Sequence, residues 1–315
     1  MTLKHTVGIL LEYIIISNNT DHSQVITQTK LLPSYLKPKI MKTIIVPTDF
    51  SPVALNATNF ATDMAMAIDA EILLFHVYNI PVSYSDVPIA LISVEEMKKS
   101  SEAQLEDLKN KLVRITSGKI KIHTEAILGN TVDELEELCK KVQPFAVVMG
   151  AKGKTGIEKV VFGSTTLTAI RHLTWPVICV PPGKEYGKGI KKIGFACDFR
   201  EVVETTPVKF IKQMVKEFNA ELHILNVDNN EKHFRPETPQ QSFLLHNLLE
   251  DIKPHYHFIN NADVEDGINE FAETNNLDLV IAVPRKHNLL EGIFKPSSTR
   301  QLVFQSHVPV MCVHE

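Results

Sequence analysis

The chain has 315 residues, 44% of them hydrophobic and 22% charged, which is typical of a globular protein with about two domains. Its 33 basic and 37 acidic side chains leave a net charge of −4, which argues against a nucleic-acid binder that depends on a broad basic face. The 4 cysteines form no C-x-x-C pair and no apolar run reaches the ~20 residues that span a bilayer, so we expect a cytoplasmic protein without nucleic-acid or membrane partners.

Residues 1–40 differ in composition from the rest of the chain and are predicted to be an N-terminal extension. The apolar run at 7–16 is interrupted by Glu12, and no clear cleavage site of a signal peptide follows it. The polar stretch that comes next is typical of a linker. Met41 then opens MKTIIVPTDFS, which is typical of the beginning of a domain. We expect either that Met41 is the functional start or that residues 1–40 are loosely attached.

Strand and helix patterns alternate along residues 41–183, which are predicted to form one domain. Apolar runs predict five strands, at 43–46, 71–78, 120–127, 145–149 and 177–180. Helical spacing predicts the elements between them, at 54–68, 94–115, 131–142 and 165–173. Ser51 is placed to cap the first helix and Pro52 to begin it. The order implies an α/β domain, a doubly wound and mostly parallel sheet with helices on both faces.

The most informative loop follows the fourth predicted strand. Gly150 and Gly153 lie directly after that strand, and Gly163 with Ser164 comes just before the next helix, in the pattern G-x2-G-x9-G-[ST]. Glycines let a ligand approach the backbone, and the unpaired N–H groups at a helix N-terminus attract phosphate. The string GKT is not a P-loop, because Val148 stands where that motif needs glycine, and no G-x-G-x-x-G occurs here. The loop predicts a phosphorylated ligand; a glycine-rich loop without a ligand is the alternative.

A second loop, PTDFS, follows the first predicted strand and is expected to meet the glycine loop. In doubly wound sheets, ligands lie at the carboxyl ends of the strands, near the point where the strand order reverses. Asp49 is then a candidate to accept hydrogen bonds from a ribose or base, because its carboxylate would repel phosphates. Alternatively, Asp49 is only a first-turn residue of the helix. His76, on the second predicted strand, is expected to be a core or rim residue rather than a ligand.

Together these motifs resemble the ATP-binding signature of the universal stress protein (UspA) family. The resemblance covers residues 42–181 and includes PTDFS, which is similar to the family's first-strand motif. It implies a five-stranded HUP/Rossmann-like domain that binds ATP, an adenine nucleotide, with Mg²⁺ accompanying it, and that acts as a regulator in the stress response. It implies adenine-side contacts from Pro47, Thr48, Asp49, Val77 and Met149, and phosphate contacts from Gly150, Gly153, Gly163, Ser164 and Thr165.

The second half of the chain, residues 190–315, repeats the first. IKKIGFACDF matches MKTIIVPTDF, AELHILNV matches AEILLFHV, and HVPVMCV matches TWPVICV. A repeat of this length indicates a duplicated domain, so we predict two tandem doubly wound domains joined by a linker at 181–189. The family resemblance implies that the two domains pair through their fifth strands, inside one molecule. A homo-dimer of whole chains stays open.

The glycine loop itself is not repeated. An alignment of the fifth strands puts unsuitable residues at the three glycine positions: Val283 for Gly150, Lys286 for Gly153 and Pro296 for Gly163. Proline has no N–H to donate and valine crowds the backbone, so we expect one nucleotide per chain.

Three classes of function stay open. They are an ATP-binding regulator, a slow ATPase or adenylating enzyme, and a nucleotide-free interaction module. No general base is evident beside Gly150, so we predict no catalytic residue and at most weak ATP hydrolysis. No histidine falls in H-E-x-x-H or another zinc pattern, and no metal ligand is predicted.

Overall fold

The computed structural model describes residues 41–80, 93–151, 164–228, 236–284, 301–303 and 305–314. The predicted extension at 1–40 lies outside these ranges, as do Gly153, Gly163, Lys286 and Pro296.

Strands and helices alternate in the first half as the sequence predicts, with bounds that agree to within a residue or two. The elements are β1 (Lys42–Pro47), α1 (Pro52–Ile68), β2 (Ala70–Tyr78), α2 (Val94–Ile115), β3 (Ile122–Leu128), α3 (Thr131–Val142), β4 (Ala146–Gly150), α4 (Ser164–His172) and β5 (Val177–Val180). All strand pairs within this half are parallel, in the order β3-β2-β1-β4-β5. The predicted doubly wound sheet is confirmed, and its strand order reverses between β1 and β4.

Three helices of the first half begin at side-chain caps. The Ser51 hydroxyl accepts the backbone N–H of Ala54 at 3.3 Å, with Pro52 at the first helical position. Ser93 forms a reciprocal capping box with Glu96 at the start of α2. Asn130 accepts two backbone N–H groups at the start of α3. Such caps satisfy N–H groups that a helix leaves unpaired, and each stabilises the fold by about 1 kcal/mol.

The second half contains the same alternation. Its elements are β6 (Lys192–Ala196), α5 (Val202–Thr205), α6 (Val208–Phe218), β7 (Glu221–Asp228), α7 (Thr238–Leu249), a 3-10 turn (Glu250–Ile252), β8 (His255–Asn260), α8 (Val264–Thr274), β9 (Leu279–Ala282) and β10 (Val310–Cys312). The counterpart of α1 is split into α5 and α6. The repeat alignment puts Pro207 at the position of Thr58, and Thr206 before it is extended, with φ −94° and ψ 119°. Proline disfavours a helical residue before it, which explains the break.

The two halves share one 10-stranded sheet, ordered β3-β2-β1-β4-β5-β10-β9-β6-β7-β8. Strand β10 pairs with β5 in antiparallel fashion, with Met311 opposite Ile178. The predicted pairing through the fifth strands is therefore confirmed within the chain. An ion pair between Lys42 and Glu217 also joins the halves. In addition, the imidazole Nε2 of His314 lies 2.7 Å from the carbonyl oxygen of Ile170.

Apolar side chains cover both faces of this sheet. In β1, Ile44 and Val46 belong to one core cluster and Ile45 to the other, and all three are fully buried. Burial on both faces is what a parallel sheet requires, and each such side chain contributes about 1.5–3 kcal/mol. Among the residues that the structure describes, no helix is both long and apolar enough to cross a bilayer.

Candidate functional site

A cavity of about 280 Å³ opens at the carboxyl ends of β1, β2 and β4. It lies where the strand order of the first half reverses, between β1 and β4, as expected for a ligand site in this fold. Eight of the ten predicted site residues line it: Pro47, Thr48, Asp49, Val77, Met149, Gly150, Ser164 and Thr165. The remaining two, Gly153 and Gly163, fall outside the described residues. The β1–α1 loop and the two described ends of the glycine loop, Gly150 and Ser164, therefore line the same cavity.

The β1–α1 loop forms one wall of the cavity. Thr48 is buried, and its N–H donates to the Phe75 carbonyl at 2.8 Å, which extends the β1–β2 pairing by one residue. Asp49 is exposed, and its Oδ1 accepts the N–H of Ser51 at 3.0 Å. Carboxylate oxygens accept hydrogen bonds, which is the chemistry that the hydroxyls of a ribose or the amino group of a base would need at this wall.

The first turn of α4 also contributes to the wall. Ser164 and Thr165 line the cavity there, and the Thr166 hydroxyl donates to the Gly150 carbonyl at 3.1 Å. That bond fixes the helix start against the end of β4. The arrangement combines two side-chain hydroxyls with a helix N-terminus, both of which suit an anionic group.

Close backbone packing explains the glycine at the end of β4. A Cβ atom on Gly150 would lie 2.5 Å from Cγ1 of Val53 and 2.7 Å from its carbonyl oxygen. Only glycine lets the first turn of α1 come this close to β4. Gly150 therefore shapes the cavity through its packing, whatever contact it makes with a ligand.

Sequence reasoning missed part of the lining. His76 lies in the cavity wall; its Nδ1 is 2.8 Å from the Thr48 carbonyl oxygen and its ring centroid is 4.8 Å from that of Phe50. In the second half Asn226 takes its place and donates to the Cys197 carbonyl at 2.9 Å. Because both halves make this bond, it supports the loop in each. His76 is thus a rim residue, as expected.

Thr131 is a further lining residue, from the first turn of α3. Its signal in the sequence was Asn130, an N-cap residue placed just after a predicted strand. Helix starts that follow the carboxyl ends of strands face the same edge of the sheet, and this rule identifies the residue in retrospect.

The matching place in the second half has a different lining. Among the described residues, two small cavities of about 10 and 20 Å³ lie beside Cys197 and Asp198. Val283, at the position of Gly150, is buried. The Asp198 side chain is 4% exposed and lies 3.9 Å from the Arg200 guanidinium, whereas Asp49 is exposed. The two halves share a fold but differ in the described residues at this place.

Fold and site define a tandem α/β protein, doubly wound in each half, with an open cleft at the switch point of the first half. A family model described as the Universal stress protein family matches residues 41–181 and again 189–314. The chain therefore belongs to the Universal stress protein family.

Individual relatives agree with this assignment. A universal stress protein of Methanocaldococcus jannaschii is 32% identical over 151 residues, which is 46% of this chain and 85% of the relative. A second one from the same organism is 26% identical over 152 residues, covering 44% of this chain and 94% of the relative. The crystal structure of a universal stress protein from Archaeoglobus fulgidus DSM 4304 aligns with a TM-score of 0.67 and 18% identity, over 86% of this chain and 98% of that one. This structural likeness shows the shared tandem fold.

Proposed function

We propose that the chain binds ATP with Mg²⁺ in the cavity of its first half and acts as a nucleotide-responsive regulator in the stress response. The observation that carries this proposal is the cavity itself. It brings an exposed carboxylate, Asp49, and a helix N-terminus with hydroxyls, Ser164 and Thr165, to the lining of one opening. The carboxylate suits a ribose or base, and the helix start suits phosphates. Mg²⁺ would enter with the phosphate oxygens that it prefers.

The chemistry of the lining favours a ligand-binding role over turnover. Among the described lining residues, only Asp49 and His76 carry titratable side chains. The first accepts the N–H of Ser51, and the second is bonded to the Thr48 carbonyl. Hydrolysis needs a positioned water and stabilisation of the developing charge. We therefore propose no catalytic residue; a slow ATPase is the second candidate, and turnover near ~10 s⁻¹ would favour it.

We also propose one nucleotide per chain, held by the domain predicted at 41–183, with the domain at 190–315 as its structural partner. Val283 is buried at the position of Gly150, and the Asp198 side chain is only 4% exposed where Asp49 is exposed; both differences support this stoichiometry. Because β5 and β10 already pair with each other within the chain, these strand edges are occupied, and a homo-dimer of chains would use another surface. A cytoplasmic location is part of the proposal, and the four buried free cysteines are compatible with it.

Two measurements test the proposal. Mass spectrometry of the purified chain under native conditions shows whether a nucleotide is retained, and calorimetric titration with ATP gives affinity and stoichiometry. We expect one site per chain in the parent and strongly weakened binding in Gly163→Val, because valine restricts φ and crowds the phosphate loop. No saturable binding would favour the nucleotide-free interaction module. Unchanged affinity in the variant would overturn the site assignment.

A further inference from the structure

Three histidines lie together at one edge of the sheet, far along the strand order from the nucleotide cavity. His223 belongs to β7, and His255 and His257 belong to β8, the last strand of the sheet. The His223 ring stacks against both partners, with centroid distances of 5.2 Å to each. Its Nδ1 lies 3.0 Å from Nε2 of His257, which places one N–H between the two rings. These three residues are called the histidine cluster.

Few anions face this cluster from the elements around it. On β7, the carboxylate of Glu221 lies 3.7 Å from Nε2 of His223, but its side chain is 62% exposed. On β6, Lys192 adds a positive charge, and on α8 the ring of Phe271 lies 4.6 Å from that of His257. Among the described residues, no hydrogen-bond partner reaches Nε2 of His223, which is buried. A protonated imidazole in this cluster would therefore lie mainly beside groups that are positively charged or become so on protonation.

Burial and the two neighbouring imidazoles act in the same direction on the pKa of His223, and the smaller effect of the Glu221 carboxylate opposes them. Burial lowers the pKa of His223, and the neighbouring His257 and His255 lower it further. Burial also lowers the pKa of His257, followed by the effect of His255. In the opened strand these groups would regain a pKa of about 6.5. Protons therefore bind better to the opened form, and the closed form loses stability as the pH falls below that value.

The opposite edge of the sheet shows that the fold does not require such a cluster. In the second half, His223 pairs with His255, and Leu225 pairs with His257. In the first half, the equivalent pairs are Leu73 with His123 and Phe75 with Glu125. The first-half sites thus hold one histidine, and its Nε2 lies 3.3 Å from the Glu71 carboxylate. This histidine has a carboxylate beside it at the position where His223 has two further imidazoles.

We propose that the histidine cluster is an acid-sensitive contact that holds edge strand β8 on β7 at neutral pH and releases it on acidification. In the neutral cluster, a ring N–H of one histidine donates to the ring nitrogen of the other. Protonation of the acceptor abolishes that bond and adds a positive charge beside stacked, partly buried rings. Release of β8 exposes the backbone N–H and C=O groups of β7, a surface to which another strand can add.

Hydrogen exchange of the full chain, read by mass spectrometry in EDTA, tests the proposal at about pH 7.5 and about pH 5.5. After correction for intrinsic exchange, the opening constant of β8 should rise by up to about tenfold for each histidine that stays neutral when closed. Strand β3 serves as the internal control and should respond much less.

Variants of the cluster test whether it causes the opening of β8 at acidic pH. His223→Leu installs the residue found at Leu73, and His257→Gln keeps a hydrogen-bonding side chain without the charge; each should remove most of the acid response of β8. His123→Gln is the matched control and should leave it unchanged. Since His257 lies on the edge strand, His257→Gln decides the question if His223→Leu does not fold.

Either of two results would overturn the proposal. The first is an acid response of β8 that persists in His257→Gln. The second is protection of β8 by added Zn²⁺ in the parent but not in that variant, which would make the cluster a metal site. Among the described residues no group of three or more potential ligands is arranged to hold a metal ion, so we expect no protection.

Discussion

Replacement of Gly150 by alanine should disturb the cavity and the fold together. The added Cβ would lie 2.5 Å from Cγ1 of Val53 and 2.7 Å from its carbonyl oxygen. The side chain can rotate away, but the carbonyl belongs to the first turn of α1. It would have to move by roughly 0.7 Å to reach an ordinary contact of 3.4 Å. That turn also contains the Ser51 cap, so the shift strains the loop that presents Asp49.

The expected magnitudes follow from this clash. Overpacking of this kind typically costs about 1–3 kcal/mol, which corresponds to a fall in Tm of roughly 2–5 °C for a chain of this size. We expect ATP affinity to fall by about tenfold or more, equivalent to at least ~1.4 kcal/mol. Thermal denaturation followed by circular dichroism measures the first quantity, and calorimetric titration measures the second.

Gly194→Ala on β6 is the matched control. Its Cβ would meet Cδ1 of Leu277 at 2.7 Å and Cδ1 of Leu225 at 3.0 Å, and both are ends of flexible side chains. It should therefore cost less stability and leave ATP affinity unchanged. If Gly150→Ala altered neither Tm nor affinity, or if both variants weakened ATP equally, the reasoning about the β4–α1 contact would be wrong.

Three further predictions concern other parts of the chain. Asp49→Asn should weaken ATP binding by about tenfold or more, through loss of a charge-assisted hydrogen bond of ~1.5–3 kcal/mol, whereas Asp198→Asn should not; titration of both variants shows whether they differ. Ser51→Ala should lower the free energy of unfolding by about 1 kcal/mol, because it removes the α1 cap, and an unchanged urea midpoint would argue against that role. Burial raises the pKa of Cys139 to about 12, so near pH 8 only ~10⁻⁴ of this thiol is thiolate and iodoacetamide should label it only after unfolding. Rapid labelling in the native chain, mapped by mass spectrometry, would contradict this.

The strands and their order of appearance were accessible from sequence because a parallel sheet is buried on both faces. Runs such as Ile44–Val46 and Val147–Met149 are continuously apolar and stand between helical patterns. Once the sheet was predicted to be doubly wound, the loops with Asp49 and Gly150 had to meet at its switch point. The pairing of β5 with β10 came from the family resemblance rather than from any local pattern.

Other features depend on register and packing, which a single sequence does not contain. The distance between Gly150 and Val53 depends on how α1 crosses β4. The lining by His76 depends on which face of β2 turns toward the loop. The histidine cluster exists only because β8 pairs with β7 in a register that places His257 opposite Leu225, two positions beyond the pair of His223 and His255. In the second half, by contrast, the break between α5 and α6 could be predicted locally. Pro207 disfavours a helical conformation in the residue before it, as proline generally does.

A crystal structure of the chain grown with a non-hydrolysable ATP analogue and Mg²⁺ tests the central claim most directly. We predict one nucleotide per chain, in the first-half cavity, with its ribose or base beside Asp49 and its phosphates at the start of α4, near Ser164 and Thr165. A nucleotide bound in the second half, or a cavity that stays empty at saturating analogue concentration, would contradict the account.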